Sequence, residues 1–111
     1  MKEFVMLFRQ PSFDTSQMSP QAFEDLTTKW KVWADGLIAQ GKLVSGNRLA
    51  TEGKVLKSDG VITDGPFVEV KERLGGFLLL RADSLEEATA LAHGCPVLDG
   101  QGSVEIRALL G

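Results

Sequence analysis

Two short runs, Phe4-Val5-Met6-Leu7-Phe8 and Phe77-Leu78-Leu79-Leu80, are apolar at every position. A half-exposed strand alternates apolar with polar side chains, so an unbroken run of this length reads as a strand covered on both faces. Two such strands need a sheet with helices over one side and a second cover over the other. No other feature of the chain restricts its fold as strongly.

The helical layer is visible between the runs and after them. Ser19-Pro20 sets a helix start, Ser19 as N-cap and Pro20 at the first helical position, where a missing N–H costs nothing. Phe23, Leu26, Trp30, Trp33 and Leu37 follow at spacings of three and four, which lines them along one face of a helix ending near Gln40, with Gly41 as its C-terminal cap. At that spacing Trp30 and Trp33 read as core, the alternative being an aromatic binding platform. Ser84-Leu85-Glu86-Glu87 is a capping box that opens a second helix, with Leu85, Ala88, Leu91 and Ala92 as its buried stripe and Gly94 and Pro96 as its stop.

Further strands fall between these marks. Lys42 to Leu49 reads as a strand with a bulge or a close approach at Gly46. Lys54–Lys57 and Val61–Thr63 form a hairpin around Asp59-Gly60, and Val104, Ile106 and Ala108 alternate with Glu105 and Arg107 in a half-buried last strand. The order strand, helix, strand, hairpin, strand, helix, strand predicts an α+β chain with a ferredoxin-like split βαβ plan and an inserted β-hairpin, all in one domain over residues 1–111. Right-handed crossovers place both helices on one face of the sheet. The cheapest cover for the other face is a second copy related by a two-fold axis; the rival is the hairpin folded back over it.

Composition removes several function classes. A net charge of −3 leaves no basic face for nucleic acid. No apolar run approaches the roughly 20 residues that span a bilayer. One cysteine, Cys95, cannot form an internal disulfide and reads as a small buried hydrophobe, and Met1-Lys2-Glu3-Phe4 leads straight into a strand, so the expectation is a cytoplasmic protein. One histidine and one cysteine do not make a zinc site of the usual kind. Gly75-Gly76 leads into a strand and not into a phosphate-binding helix start, and the chain has no tyrosine for acid–base work. No cofactor is implied.

The remaining candidates cluster from Thr63 to Gly76. Asp64-Gly65-Pro66-Phe67 is expected to form a fixed turn that presents Asp64 at the end of the sheet, because Pro66 donates no hydrogen bond and pushes Gly65 out of the helical region. Gly75-Gly76 then permits a close backbone approach. Asp64 can serve as an acid or base, or simply bond the backbone of its own turn. Lys71 and Phe67 are candidate ligand contacts in the same stretch, and Arg48, after Gly46-Asn47, can hold a carboxylate through its planar fork or form a salt bridge. Glu69 and Arg73 read as a solvated charged face.

Asp64-Gly65-Pro66-Phe67, followed by Glu69, Lys71-Glu72 and Leu74-Gly75-Gly76-Phe77, resembles the signature of the YCII-related (DGPF domain) family. Agreement extends through Gly41–Gly46, Ser84–Ala88, Cys95-Pro96 and Gly102–Arg107. The resemblance implies a small bacterial α+β protein that dimerises through its sheets as a dimeric α/β barrel, in a family of largely unassigned activity. It also implies an acidic residue of this loop, Asp64, in a cleft with a histidine. Here the chain departs from the pattern: its one histidine, His93, ends the second helix, where it reads as a C-terminal cap, and the loop from Gln10 to Met18 has none. Two functions follow as expectations. One is a binder of a small organic molecule that works as a cofactor-free lyase or isomerase with Asp64 as acid or base. The other is a non-catalytic dimeric binding or regulatory protein, such as a companion of an extracytoplasmic-function sigma factor.

Overall fold

A computed structural model describes residues 1–11, 19–50, 53–60, 62–65, 72–100 and 102–110. Strand β1 (Lys2–Pro11) leads to helix α1 (Pro20–Ala39) and strand β2 (Leu43–Arg48). The hairpin strands β3 (Gly53–Leu56) and β4 (Ile62–Gly65) come next, then β5 (Glu72–Ala82), helix α2 (Leu85–Ala92), a 3-10 turn (Pro96–Gly100) and β6 (Ser103–Ala108). Four strands make one antiparallel sheet in the order β2-β5-β1-β6, while β3 and β4 pair as a separate two-stranded sheet. This is the ferredoxin-like arrangement with an inserted hairpin. Among the described residues, no helix is long and apolar enough to cross a membrane.

Register decides which side chains form the core, because residues opposite one another across an antiparallel pair share a face. Phe4, Met6 and Phe8 stand opposite Leu80, Leu78 and Gly76 on one side and Ala108, Ile106 and Val104 on the other. With Ala82 they meet Leu37 of α1, Ala88 and Ala92 of α2, and Cys95 and Val97. Trp30 and Trp33 pack half-buried against this core, edge-on to Phe8 at 5.3 and 6.0 Å between ring centroids. Burial raises the Cys95 thiol to about 11.

Both helix starts follow the expected chemistry. Ser19 Oγ accepts the N–H of Ala22, and Ser84 Oγ accepts that of Glu87. The return bond of the capping box is redirected: the Glu87 carboxylate accepts from the N–H of Asp83 at 3.4 Å and pairs with Lys42 at the head of β2. Lys42 holds the Glu87 carboxyl below its usual range. Phe23 and Leu85 depart from expectation, at 44% and 49% exposed. Each lies three residues before the next member of its stripe, a step that turns it about 60° toward the edge of the buried face.

Gly94 stops α2 as expected, one residue past the C-cap His93, but not through a positive φ: among the described residues the glycines with positive φ are Gly41, just past α1, and Gly60, in the hairpin turn. A Cβ on Gly94 would lie 3.1 Å from Trp33 Cδ1, so the indole explains this glycine. The same indole donates its N–H to the carbonyl of Leu91 at 3.0 Å, which satisfies an end carbonyl of α2.

Among the described residues, no helix lies over the second face of the sheet. By register it presents Val5, Leu7, Leu79 and Phe77; the first three are half-buried and Phe77 is 36% exposed. The molecule measures 19 Å along its thinnest axis, enough for one helix layer and one sheet. Burial of both runs on both sides, as expected from their sequence, is therefore completed on one side only by the described residues of a single chain.

Candidate functional site

The topology gathers the candidate residues at one end of the sheet. Pro11 at the end of β1 stands opposite Glu72 at the start of β5, and Arg48 at the end of β2 stands opposite Gly76. Gly53 and Gly65 close the base of the hairpin, joined by short connections to Arg48 and Glu72. Four residues separate Arg48 from Gly53, which limits their separation to about 18 Å. The structure thus brings Arg48 and the hairpin carrying Asp64 to the same sheet end. Phe67 and Lys71 lie outside the described residues, as do Glu69 and the loop over residues 12–18.

Asp64 itself is not in a turn. Its backbone belongs to β4, in register with Lys54, and the strand continues through Gly65. The residue before proline is driven into extended conformations, which are strand geometry, so the ladder reaches Gly65; Pro66 and Phe67, the rest of the expected turn, lie outside the described residues. The Asp64 side chain lies outside the described atoms, and so does that of Arg73 in β5.

Two glycines shape this end of the sheet. Phe8 pairs with Gly76 but Arg9 pairs with Leu74, which leaves Gly75 as a bulge without a partner on β1. The Gly75 carbonyl turns to β2 and accepts the N–H of Leu49 at 2.9 Å. A Cβ on Gly76 would stand 3.0 Å from the Asn47 carbonyl oxygen and 3.4 Å from Arg48 Cα, so β2 and β5 approach too closely for a side chain. Gly46 meets the Phe77 carbonyl in the same way, at 3.0 Å. The doubled glycine thereby fixes the backbone of Arg48, whose N–H is also taken by Asn47 Oδ1 at 2.9 Å. The Arg48 side chain is exposed and makes no ion pair among the described residues.

The same bulge stands beside an ion pair that sequence reading missed. Arg9 Nη1 donates to Glu105 Oε1 at 2.6 Å, and Arg107 Nη1 lies 3.7 Å from Glu105 Oε2. Glu105 and Arg107 were legible as outward residues of a strand, but Arg9 marked only the boundary of an apolar run, and pairing residues 96 apart in sequence requires the register.

Other features do not converge on this site. An open groove of about 400 Å³ lies between α1 and the 3-10 turn, lined by Val32, Trp33, Gly94 and Pro96 and crossed by Lys29 and Asp99, 3.8 Å apart. His93 is exposed at the end of α2, beside a shallow depression formed with Glu86 and Thr89. Among the described residues, no group of three or more histidine, cysteine, aspartate or glutamate side chains is placed to hold a metal ion. No curated protein matches the chain. The model of the YCII-related domain matches residues 4–110, nearly the whole of this split βαβ sheet with its hairpin, and the chain belongs to that family.

Proposed function

We propose that the protein is a cytoplasmic homodimer that binds a small organic molecule at the sheet end where Arg48 and the hairpin of Asp64 meet. The observation that carries the ligand site is this convergence: β2 and β5 are locked together by Gly46 and Gly76, and the hairpin inserted into the split βαβ plan leaves and returns there. Rigid strands that end beside inserted loops are where binding groups are best positioned. The helix-free face supports the dimer, because Val5, Leu7, Phe77 and Leu79 form a continuous apolar strip down two central strands. Asp64 is the acid or base of this reading, in a lyase or isomerase reaction without a cofactor, and Arg48, Lys71 and Phe67 are its ligand contacts.

A thermal-shift screen of wild type and Asp64→Asn against small organic acids, phenols and lactones tests the site, with light scattering for the dimer. A compound that raises the wild-type melting temperature but not that of the variant supports the reading, and turnover of that compound class supports catalysis. Absence of any hit, with Asp64→Asn losing stability on its own, rejects the site in favour of a structural residue of the hairpin in a protein-binding module. A monomer in solution rejects the dimer.

A further inference from the structure

The function proposed above makes no use of the groove of about 400 Å³ between α1 and the 3-10 turn Pro96–Gly100. Its volume falls within the range of about 300–1,000 Å³ that small-molecule sites occupy. The groove is separate from the sheet end at Arg48: the 3-10 turn leads into β6, Arg48 ends β2, and these are the two outer strands of the sheet.

Three observations set this groove apart from ordinary surface relief. Its wall is a fixed indole: Trp33 donates its N–H to the Leu91 carbonyl at 3.0 Å and stands edge-on to Phe8 and Trp30, at 6.0 and 5.8 Å between ring centroids, so the ring needs no ordering when a ligand settles against it. Gly94 keeps that ring uncovered, because a Cβ there would lie 3.1 Å from Trp33 Cδ1 and 3.5 Å from Nε1. Pro96 and Val32, the latter 66% exposed, extend the same apolar surface. The third observation is a pair of opposite charges lining the groove. Lys29 Nζ and Asp99 Oδ2 face one another at 3.8 Å, inside ion-pair range but beyond hydrogen-bond length, so neither charge is hydrogen-bonded to the other.

We infer that the groove binds an α-amino acid with an apolar side chain. A zwitterion is the small ligand that matches both charges at once: its carboxylate meets the Lys29 ammonium and its ammonium meets the Asp99 carboxylate, whereas a singly charged ligand attracts one and repels the other. Both charges of an α-amino acid hang on one carbon, close enough together to meet a pair 3.8 Å apart. The side chain then lies on Trp33, Val32 and Pro96, where apolar contact supplies the binding energy that two exposed charges cannot. Gly94 leaves the space it occupies.

Chemical-shift titration of nitrogen-15-labelled protein with leucine, leucinamide and N-acetylleucine tests it on wild type, Lys29→Met and Asp99→Asn, two exposed positions whose substitution spares the core. The expected result is saturable movement of the Trp33 indole N–H, larger than that of Trp30, with leucine bound about fivefold tighter than either derivative. Lys29→Met should erase the preference over leucinamide and keep that over N-acetylleucine, and Asp99→Asn should do the reverse. Failure of leucine to saturate, equal affinity for the three compounds, or preferences unchanged in the two variants overturns the inference.

Discussion

Replacing Gly76 by alanine tests the link between sheet packing and the site most directly. The added methyl would stand 3.0 Å from the Asn47 carbonyl oxygen and 3.4 Å from Arg48 Cα. Both obstacles are backbone of a hydrogen-bonded strand, so neither relaxes by a rotamer change, and β2 must move away from β5 by a few tenths of an ångström. Overpacking of this kind costs about 1–3 kcal/mol. Loss of glycine from the unfolded chain returns about 0.4–1 kcal/mol, which leaves a net destabilisation of about 1.3 kcal/mol at the midpoints of the two ranges. At about 4 °C per kcal/mol for a domain of this size, the melting temperature should fall by about 5 °C. Gly36 supplies the contrast. It is exposed within α1, and a Cβ there meets nothing within 4 Å, so Gly36→Ala should stabilise the protein by about 0.5–1 kcal/mol. Opposite signs for the same substitution at two glycines are the expected result in calorimetry or urea titration. A Gly76→Ala protein as stable as wild type would refute the reasoning, because the strands would then have room that the structure denies them.

Trp33→Phe removes the donor to the Leu91 carbonyl while keeping most of the ring, and should cost about 1–3 kcal/mol in urea unfolding; a loss below about 0.5 kcal/mol would mean that water replaces the indole N–H without penalty. Glu87 titrates below its ordinary 4.5 because Lys42 stabilises its charged form, so the contribution of the pair is present above that value and lost as pH falls through the folded-state value. The melting temperatures of wild type and Lys42→Met should accordingly converge between pH 5 and about pH 3, and a gap that stays constant over that range would rule out the pairing as its source. Cys95 is buried with its thiol raised to about 11, so labelling by an aromatic disulfide reagent at neutral pH should proceed only at the rate of unfolding; rapid labelling of the native protein would contradict its burial.

Features written in local chemistry were legible from the residues alone. Ser19-Pro20 and Ser84 with Glu87 are helix starts because a hydroxyl within three residues of a free N–H satisfies it wherever the chain goes next. Asp59-Gly60 is a turn for the same reason of local geometry, and the positive φ of Gly60 agrees with it. Gly46 and Gly76 were legible as close approaches, but not as approaches between the same two strands. That fact belongs to β2–β5 pairing, in which residues 30 or so apart are brought into register. Asp64 shows the limit from the other side, since the proline rule was right about Gly65 and wrong about the consequence for the chain, an extended residue being as compatible with a strand as with a turn.

The candidate site was harder to read than the fold because it is assembled by register and not by spacing. The apolar runs announced their own depth: Phe4, Met6 and Phe8 are buried, and Val5 and Leu7 lie on the face that no helix covers. Arg9 carried no such mark. It stands next to an apolar run, where a charged residue normally signals only that the strand has reached water. Its pairing with Glu105 depends on β6 lying beside β1, and its place beside the Gly75 bulge depends on β5 lying on the other side. A side chain can therefore be conspicuous in the fold and silent in the sequence when its role is set by two neighbours that are distant along the chain. The strongest local motif, Asp64-Gly65-Pro66-Phe67, is expected to act with the residue that the strands bring to the same sheet end, so the decisive comparison is between losses at Asp64 and at Arg48. If both residues serve one site, their effects on the binding of a single acid should be non-additive in a double-mutant cycle, whereas independent roles would give effects that sum.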